Sequence, residues 1–274
     1  AQVILISTCI LAMTQKSNDA LVVCSIGTDV ASDRKAMDNP ELDHKMKDTW
    51  AQSDIVINDK ELRIQGHPVM EAWEHPYMKR LAEIATRNGG QVLELGFGMG
   101  ISATYIQEVG KDLVTHHIVE ANIKVAANAD KWAVETASSK VVVHRGYSWD
   151  VAPSLKDGFF DGILYDTYPL EPGKAGKHHR DFLQDAARLL RVGGVFTYFC
   201  SVFPAEERQL LNDYGFEVTT EWVPVPTPAD CQYFGANHLI APICIKTAPS
   251  AKRRRRCAAW DVSEDSGDDD HSSH

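Results

Sequence analysis

Asp166 ends an apolar stretch in the segment "FFDGILYDTYPL", residues 159–170. The stretch is typical of a strand, so we expect the carboxylate to be partly withdrawn from water. A buried charge without a partner is costly, which indicates that Asp166 meets a cation or a proton donor. Asp166 is therefore a candidate for chemistry, and capping of the turn at Thr167 and Tyr168 is the structural alternative.

A second candidate is the glycine-rich segment "VLELGFGMG", in which Glu94 precedes Gly96, Gly98 and Gly100. Glycines permit positive φ angles and the close approach of a ligand where a strand turns into a helix. A dinucleotide loop of the form G-x-G-x-x-G needs glycine at the next position, where this chain has Ile101. The G-x-G-x-G spacing behind an acid is typical of S-adenosylmethionine-dependent methyltransferases, and a glycine-rich turn without a ligand is the alternative.

Glu120 ends the next apolar segment, "HHIVEAN", about 20 residues after the glycines. A carboxylate at that place accepts hydrogen bonds from the hydroxyls of a cofactor ribose. Nicotinamide cofactors use the same acid, so Glu120 does not choose between cofactors, and an exposed strand-end glutamate is the alternative. The segment "HRGYSWDV", residues 144–151, then falls where methyltransferases hold adenine.

Strand and helix patterns alternate between residues 46 and 247 and are expected to position these side chains. Continuous apolar strands between helices predict an α/β fold with a mostly parallel sheet covered on both faces. Ligands of such sheets bind beyond the carboxyl ends of the strands. The seven predicted strands span residues 91–97, 114–121, 140–146, 160–166, 195–200, 217–225 and 238–246, and helices follow at about 100, 123–137, 179–194 and 205–215.

A further helix is predicted before the first of these strands, over residues 67–90. Pro76 lies inside this pattern, and an internal proline removes a main-chain hydrogen bond and kinks a helix. Residues three and four apart share one helical face. We therefore expect Glu71, Glu74 and Met78 to lie on one face, with solvent-facing charges as the alternative for the two glutamates.

Five segments resemble guanidinoacetate N-methyltransferase, several of them nearly verbatim: "PVMEAWEHPYM", "VLELGFGMG", "FDGILYDTYPL", "LLRVGGVFTY" and "PADCQYF". The resemblance runs from about Trp50 to Lys246. It implies a Rossmann-like class I methyltransferase fold, with a mostly parallel seven-stranded sheet and helices on both faces. It also implies S-adenosylmethionine as methyl donor, S-adenosylhomocysteine as product, and guanidinoacetate, converted to creatine, as the leading acceptor.

The motifs and the resemblance together assign roles to individual residues. Glu74 and Asp166 are expected to grip the acceptor guanidinium and to be the catalytic residues. In the segment expected to hold adenine, either Ser148 or Trp149 takes the role of the family's tryptophan, because the tryptophan lies one place later here than in the family. Both residues are therefore included as candidates. The cofactor contacts expected are Trp50, Met70, Met78, Glu94, Gly96, Phe97, Gly98, Met99, Gly100, Ile101, Ser102, Glu120, Ala121, Asn122, Tyr147, Ser148, Trp149 and Asp166.

The chemistry of a guanidino acceptor agrees with two carboxylates. A guanidinium presents five N–H donors in a planar fork and pairs bidentately with carboxylates. The methyl donor is a cationic sulfonium, so two acids offset the repulsion between donor and acceptor. A guanidinium is not a nucleophile, and one nitrogen must lose a proton as it attacks the methyl group. We expect Asp166 to accept that proton.

The resemblance fails after the strand at 195–200. The family has a loop there whose main-chain amides hold the carboxylate of the acceptor, whereas this chain has Cys200, Ser201 and Val202 and a shorter connection. The amides of Ser201 and Val202 are still expected to bind a carboxylate. The alternatives to guanidinoacetate as acceptor are another small guanidino acid and arginine, free or in a protein. A further alternative is a non-catalytic module that binds S-adenosylmethionine.

The ends of the chain differ in composition from its middle. Residues 1–45 are predicted to be a mobile arm, residues 46–247 the methyltransferase domain, and residues 248–274 a low-complexity charged tail. The opening apolar run lacks the basic segment and cleavage site of a signal peptide, and residues 1–12 are either part of a longer chain or translated sequence upstream of Met13.

Composition bounds the partners. The chain has 274 residues and a formal net charge of −10, which argues against non-specific nucleic-acid binding. No apolar run has the roughly 20 residues of a membrane span, so we expect no membrane partner. The six cysteines lack metal-site spacing, so we expect reduced thiols and no metal. The expected location is the cytoplasm, with the nucleus as an alternative because of the basic run 252–256.

Overall fold

The computed structural model describes residues 46–171 and 173–247, and only the main chain of Asp48. The predicted arm (1–45) and tail (248–274) therefore lie outside the described residues, together with the basic run at 252–256. Within the described ranges, Cys200, Cys231 and Cys244 are free thiols. No helix in these ranges has the length and hydropathy needed to span a bilayer.

The described chain begins with a short helix and a small antiparallel sheet that the sequence patterns did not predict. The helix α1 (Met46–Trp50) is followed by β1 (Ile55–Ile57), β2 (Glu61–Ile64) and β3 (His67–Glu71). β2 pairs with both of its neighbours. Gln65 and Gly66 join β2 to β3 with φ angles of 53° and 81°, the left-handed conformation that tight hairpin turns require.

The predicted helix over residues 67–90 is wrong in its first third. His67–Glu71 is the strand β3, Ala72–Glu74 is a 3₁₀ turn, and α2 begins only at His75 and ends at Ala85. Pairing with β2 decides the conformation of residues 67–71, because tertiary contacts override a weak local pattern. Pro76 lies in the first turn of α2, where its missing N–H removes no helical hydrogen bond.

The three side chains that were expected on one helical face lie on three different elements. Glu71 is the last residue of β3, Glu74 ends the 3₁₀ turn, and only Met78 lies on α2. The expectation of a shared helical face is therefore wrong. Glu74 nevertheless lies at the junction between a strand and a helix, which is where a side chain can be held beyond the edge of a sheet.

The remaining elements form the larger sheet and its helices. They follow the predicted order, with α5 as a short helix that the patterns missed. The elements are β4 (Gly90–Leu95), α3 (Ile101–Val109), β5 (Leu113–Glu120), α4 (Ile123–Glu135), β6 (Lys140–Arg145), α5 (Ser148–Val151), β7 (Phe160–Tyr165), α6 (His179–Leu189), β8 (Leu190–Tyr198), α7 (Ala205–Asp213), β9 (Phe216–Pro224) and β10 (His238–Lys246).

The larger sheet has seven strands in the order β6-β5-β4-β7-β8-β10-β9. The strands from β6 to β8 run parallel, and β10 pairs antiparallel with β8 and with β9. This confirms the predicted α/β fold with a mostly parallel seven-stranded sheet. Parallel strands end at the same edge, so the residues that follow β4, β5, β6 and β7 are brought together there.

Helices cover both faces of this sheet. On the central strand β4, Leu93 and Leu95 pack with Phe182 and Leu183 of α6. Val92, which points the other way, packs in a cluster with the buried side chains of α2. Successive side chains of a strand point to opposite faces, so one apolar strand serves two cores and the edge between them is held rigidly.

Candidate active site

A cavity of about 420 Å³ opens at the carboxyl ends of the parallel strands. Its volume falls in the range of about 300–1,000 Å³ that is usual for small-molecule sites. Elements far apart in sequence meet there: α1, the small sheet, the glycine loop and the ends of β5, β6 and β7. The predicted site residues that line it are Trp50, Met70, Glu74, Gly96, Gly98, Glu120, Ala121, Tyr147, Ser148, Trp149 and Asp166.

The glycine loop forms the floor of the cavity from main chain alone. Gly96 has a φ of +91°, and a Cβ there would lie 2.0 Å from the carbonyl oxygen of Asp166. Gly98 has a φ of +55°, and a Cβ there would lie 2.9 Å from the sulfur of Met70. Gly96 therefore needs glycine because a side chain would collide with the main chain at Asp166, and Gly98 because its positive φ angle strains any residue with a Cβ.

Glu120 is buried at the end of β5 and held by the loop around it. Its Oε2 accepts from the N–H of Phe97 at 2.9 Å, and its Oε1 accepts from the N–H of Asn122 at 2.8 Å. Burial raises the pKa of the carboxyl, and hydrogen bonds from Phe97, Asn122, Gly98 and Ala121 act in the opposite direction. The main chain thus fixes a carboxylate at the cavity wall, in the place expected for the ribose acid.

Glu74 is 3% exposed, in the 3₁₀ turn before α2. Its Oε1 accepts from the hydroxyl of Tyr233 at 2.6 Å and from the N–H of Glu71 at 2.9 Å. Burial, and then the charge of Asp166, raise the pKa of Glu74 to about 8. The carboxyl is therefore oriented by two donors, neither of which is a cation.

Asp166 follows the last residue of β7 and continues its ladder, because its N–H donates to the carbonyl of Leu95 at 2.9 Å. Burial, and then the charge of Glu94, raise the pKa of Asp166 to about 7. Glu74 and Asp166 line the same cavity, and no lysine or arginine is found among the described residues that line it. Two acids without a cation are the arrangement that a cationic ligand would complete.

Aromatic side chains form the wall beside Glu120. Trp50 of α1 stacks on Tyr168, with ring centroids 4.9 Å apart, and Tyr147 stacks on Trp149 at 4.4 Å. The hydroxyl of Tyr147 donates to the carbonyl of Lys47 at 2.5 Å, which ties α1 to the segment after β6. Flat apolar surfaces of this kind suit a purine ring.

Several predicted cofactor contacts lie behind the cavity wall rather than in it. Met78 is fully buried in the core between α2 and the sheet, and Glu94 is fully buried with its carboxylate 3.0 Å from Nε2 of His116. These two positions follow strand and helix periodicity, so they point into the core. The others that do not line the cavity are Phe97, Met99, Gly100, Ile101, Ser102 and Asn122.

Comparison with known proteins decides the family. The model of the guanidinoacetate N-methyltransferase family matches residues 41–207, which include Glu74, Glu120 and Asp166. The chain belongs to this family. The match ends in the first turn of α7, so the last two strands and the loop that carries Tyr233 are outside it.

Curated relatives of this family member carry another name. A protein arginine N-methyltransferase 2 of Aspergillus oryzae is 30% identical over 186 residues, 62% of this chain and 43% of the relative. A protein of the same name in Saccharomyces cerevisiae is 33% identical over 144 residues, 48% of this chain and 32% of the relative. The chain thus spans less than half the length of the curated relatives it matches.

Solved structures confirm the fold of this family member. Spermidine synthase from Thermotoga maritima superposes with a TM-score of 0.51 at 17% identity, over 73% of this chain and 71% of the other. At that identity the likeness shows a shared Rossmann-like architecture and nothing about the ligand.

The far end of the cavity departs from what the family pattern led us to expect. Ser201 and Val202, the expected carboxylate grip, do not line the cavity, and Val202 is 56% exposed. The N–H of Cys200 donates to the hydroxyl of Tyr77 at 2.9 Å. This bond holds the chain beneath the site before it turns outward to α7, so the two amides are carried away.

The cavity is also lined by residues that the sequence patterns did not single out. Among them are Phe199, His178, Gln232 and Tyr233. Tyr233 lies in "PADCQYF", one of the segments that resemble the family, which was the one available signal. Its link to Glu74 joins positions 159 residues apart, and only the folded chain shows such a contact.

Proposed function

We propose that this domain transfers a methyl group from S-adenosylmethionine to a guanidino nitrogen. The observation that carries the proposal is the pair Glu74 and Asp166 in one cavity, both with a raised pKa and without a lysine or arginine in the described lining. A planar cation with several N–H donors is the ligand that two such carboxylates recognise. Membership of the guanidinoacetate N-methyltransferase family supports the same chemistry.

The residues of the other half of the cavity fit the methyl donor. We call Gly96, Gly98, Glu120 and the segment 147–149 the cofactor half. Gly96 and Gly98 expose main chain, Glu120 offers acceptors for ribose hydroxyls, and Tyr147 and Trp149 offer flat surfaces. When bound there, S-adenosylmethionine supplies an electrophilic methyl group on a sulfonium.

The residues Glu74, Asp166 and Tyr233 form what we call the acceptor half. Glu74, oriented by Tyr233, binds one edge of the guanidinium, and Asp166 binds another from the end of β7. A bound S-adenosylmethionine would supply the methyl group and would leave as S-adenosylhomocysteine. The attacking guanidino nitrogen loses one proton, which Asp166 accepts. The methylated guanidino group and a protonated Asp166 carboxyl are left.

The raised pKa of Asp166 suits this role. A general base works best when its pKa lies near the pH at which the protein operates, and the pKa of Asp166 is raised to about 7. A bound guanidinium favours the ionised carboxylate, so Asp166 enters the reaction deprotonated. Glu74 stays beside the cation and offsets its charge.

Two acceptors remain, and one observation separates them. The family name and the sequence resemblance point to guanidinoacetate, which needs a partner for its own carboxylate. The expected partners Ser201 and Val202 lie outside the cavity, and its described lining has no lysine or arginine. An arginine side chain has no such need, and curated relatives are named protein arginine N-methyltransferase 2. We therefore place arginine, in a protein, ahead of guanidinoacetate.

Calorimetry and product mass test this choice. Guanidinoacetate, free arginine and a short arginine-containing peptide would each be titrated into the protein with S-adenosylhomocysteine present, and then incubated with S-adenosylmethionine. We expect a mass increase of one methyl group on the peptide. Methylation of guanidinoacetate alone would reverse the order of acceptors. Binding of cofactor with no methylated product from any of the three would favour a non-catalytic module.

We further propose that residues 46–247 are the whole catalytic domain and that it acts in the cytoplasm. All the side chains that carry the proposed chemistry lie within these residues. Deletion of residues 248–274 should leave cofactor affinity and turnover unchanged, and a large loss of either would contradict the boundary. Imaging of a tagged chain with and without the basic run 252–256 tests the location.

A further inference from the structure

Asn122 was expected to contact the cofactor, but the structure gives it another position. It lies two residues after Glu120, is completely buried, and does not line the cavity. It is the N-cap of α4, where its Oδ1 accepts from the N–H groups of Lys124 at 3.0 Å and Val125 at 3.2 Å. Such a cap stabilises the start of a helix.

The other contacts of Asn122 reach in two directions. Its main-chain N–H donates to Oε1 of Glu120 at 2.8 Å, on the cavity side. Its side-chain amide donates to the carbonyl of Trp50 at 2.9 Å and to the carbonyl of Ser53 at 3.1 Å. One buried residue therefore touches both the proposed ribose acid and the segment that follows α1.

That segment forms part of the cavity wall. Trp50 is 4% exposed, lines the cavity and stacks on Tyr168, which also lines it. The N–H of Ile123 donates to the carbonyl of Ala51 at 2.9 Å, so the turn after α1 is held along the start of α4. Any displacement of this turn would open the wall beside Glu120.

We propose that Asn122 is a positioning residue that couples ligand occupancy at Glu120 to the order of residues 50–54. The proposal rests on the proposed function, because it takes Glu120 as the acid that binds the cofactor ribose. A ligand that fixes Glu120 also fixes the N–H of Asn122, and the amide of the same residue then holds the carbonyls of Trp50 and Ser53. By reciprocity, an ordered wall strengthens the binding of that ligand.

The chemistry of asparagine makes the coupling separable from the cap. An amide side chain has two N–H donors and a carbonyl acceptor, and Asn122 uses both ends. Serine is also a good N-cap, but it has no amide to donate to two carbonyls. Asn122→Ser therefore removes the link to residues 50–54 and keeps the cap. Gln65 still donates to Thr49 and Ser53, so the segment retains a second attachment.

Asn88 provides a matched control. Its amide also donates to two main-chain carbonyls, those of Asp161 at 3.3 Å and Gly193 at 3.1 Å. Those bonds lie at the opposite, amino-terminal edge of the parallel strands, away from the cavity. Asn88→Ser removes the same kind of side chain and the same number of donors, although from an exposed place.

The experiment measures two quantities in the wild type and both variants. One is the dissociation constant of S-adenosylhomocysteine, and the other is hydrogen exchange of the main-chain amides of residues 50–54 with and without that ligand. We expect the ligand to protect these amides in the wild type and in Asn88→Ser. In Asn122→Ser we expect the protection to be lost and the dissociation constant to rise about tenfold, as for two lost hydrogen bonds.

The outcomes separate this proposal from the proposed function. If S-adenosylhomocysteine binds Asn122→Ser with wild-type affinity, or protects residues 50–54 equally in that variant, the coupling is wrong while the proposed function stands. If the wild type does not bind S-adenosylhomocysteine, the proposed function fails and the coupling fails with it. Unfolding of Asn122→Ser is checked by its melting temperature, and Asn122→Asp, which also keeps the cap, provides the second variant with the same expected loss.

Discussion

The cofactor half and the acceptor half of the cavity both contain buried carboxylates, but the fold treats them differently. Glu120 receives main-chain hydrogen bonds from the glycine loop and from the residues that follow it. Glu74 and Asp166 receive fewer donors and each lies near another acid, since the charge of Asp166 raises the pKa of Glu74 and the charge of Glu94 raises the pKa of Asp166. Main-chain N–H groups thus supply hydrogen-bond donors to the carboxylate of Glu120, whereas the carboxylates of Glu74 and Asp166 need a ligand as partner.

This difference follows from where each acid lies. Glu120 ends a central parallel strand, and the loop beside it presents N–H groups that need an acceptor. Asp166 and Glu74 come from different elements that meet at the cavity, and no lysine or arginine lies among the described residues that line it. We conclude that the cofactor half is organised before binding, and that the acceptor half is held in an unfavourable state which a cation relieves.

The largest effect is expected for Asp166→Asn. Asparagine keeps the shape of the side chain but cannot accept a proton, so turnover should fall by about 10²–10⁴-fold, as for loss of a general base. The affinity for S-adenosylhomocysteine should be nearly unchanged, because Glu120 and the glycine loop are intact. Single-turnover assays and calorimetry measure the two quantities. Turnover close to that of the wild type would remove Asp166 from the role of base.

Glu74→Gln should come next and should act on the acceptor. Glutamine can still accept from Tyr233 but has no charge for the guanidinium. Loss of one partner from a buried charge pair costs about 2–5 kcal/mol, so the acceptor dissociation constant should rise about 30-fold or more. The measurement is calorimetry with the acceptor and S-adenosylhomocysteine.

Glu71→Gln is the matched control for this change. Glu71 is three residues earlier in the chain, its carboxylate accepts from Nε1 of Trp73 at 2.6 Å, and it does not line the cavity. Its replacement should leave acceptor affinity within about threefold of the wild type, because glutamine keeps an oxygen that can accept from Trp73 and from the N–H of Glu74. Equal losses in the two variants would mean that the turn as a whole, and not Glu74, is what binding needs.

Much of this fold could be predicted from the sequence, for a physical reason. Strands such as β4 and β7 are buried on both faces, so their sequences are continuous apolar runs between turn residues. The small sheet could not be predicted in the same way. Its hairpin depends on Gln65 in the left-handed conformation, which glutamine adopts only rarely, so the sequence does not predict it. In addition, residues 67–71 have a local pattern that also suits a helix.

The residues of the candidate site also differ in how far the sequence predicts their positions. Asp166 and Glu120 could be predicted because the carboxyl ends of parallel strands are where ligands bind. Tyr233 and the outward turn at Ser201 could not, since their positions depend on contacts with Glu74 and with Tyr77. Motif membership alone does not show which neighbours line the cavity, since Met78 shares a motif with Glu74 and is buried in the core.

Glu120→Ala tests the cofactor half. It removes the proposed acceptor of the ribose hydroxyls, so the binding free energy of S-adenosylhomocysteine should weaken by at most about 3 kcal/mol. The binding of a guanidinium to the acceptor half should change less. It also leaves the N–H groups of Phe97 and Asn122 without their acceptor. Glu120→Gln, which retains one oxygen, is therefore measured beside it together with melting temperatures. Unchanged cofactor affinity in both variants would refute the ribose role.

The dependence of acceptor binding on pH separates the two halves without a mutation. The folded, ligand-free site raises the pKa of Asp166 to about 7 and that of Glu74 to about 8. Protonated carboxyls are therefore favoured in the empty protein, and the stability they contribute is lost as pH rises through these values. A guanidinium binds the ionised forms and keeps its own charge throughout this range.

Acceptor binding should consequently release protons near pH 7. It should strengthen by at least about tenfold between pH 6 and pH 8, since ionisation of Asp166 alone gives that factor and ionisation of Glu74 adds to it. Titrations of an arginine peptide in buffers of different ionisation enthalpy measure the protons released. The affinity for S-adenosylhomocysteine should change less over the same range, because main-chain donors offset the burial of Glu120. Acceptor binding that is independent of pH and of buffer would mean that both acids are already ionised in the empty cavity. Glu74 and Asp166 would then not differ from Glu120 in their need for a ligand.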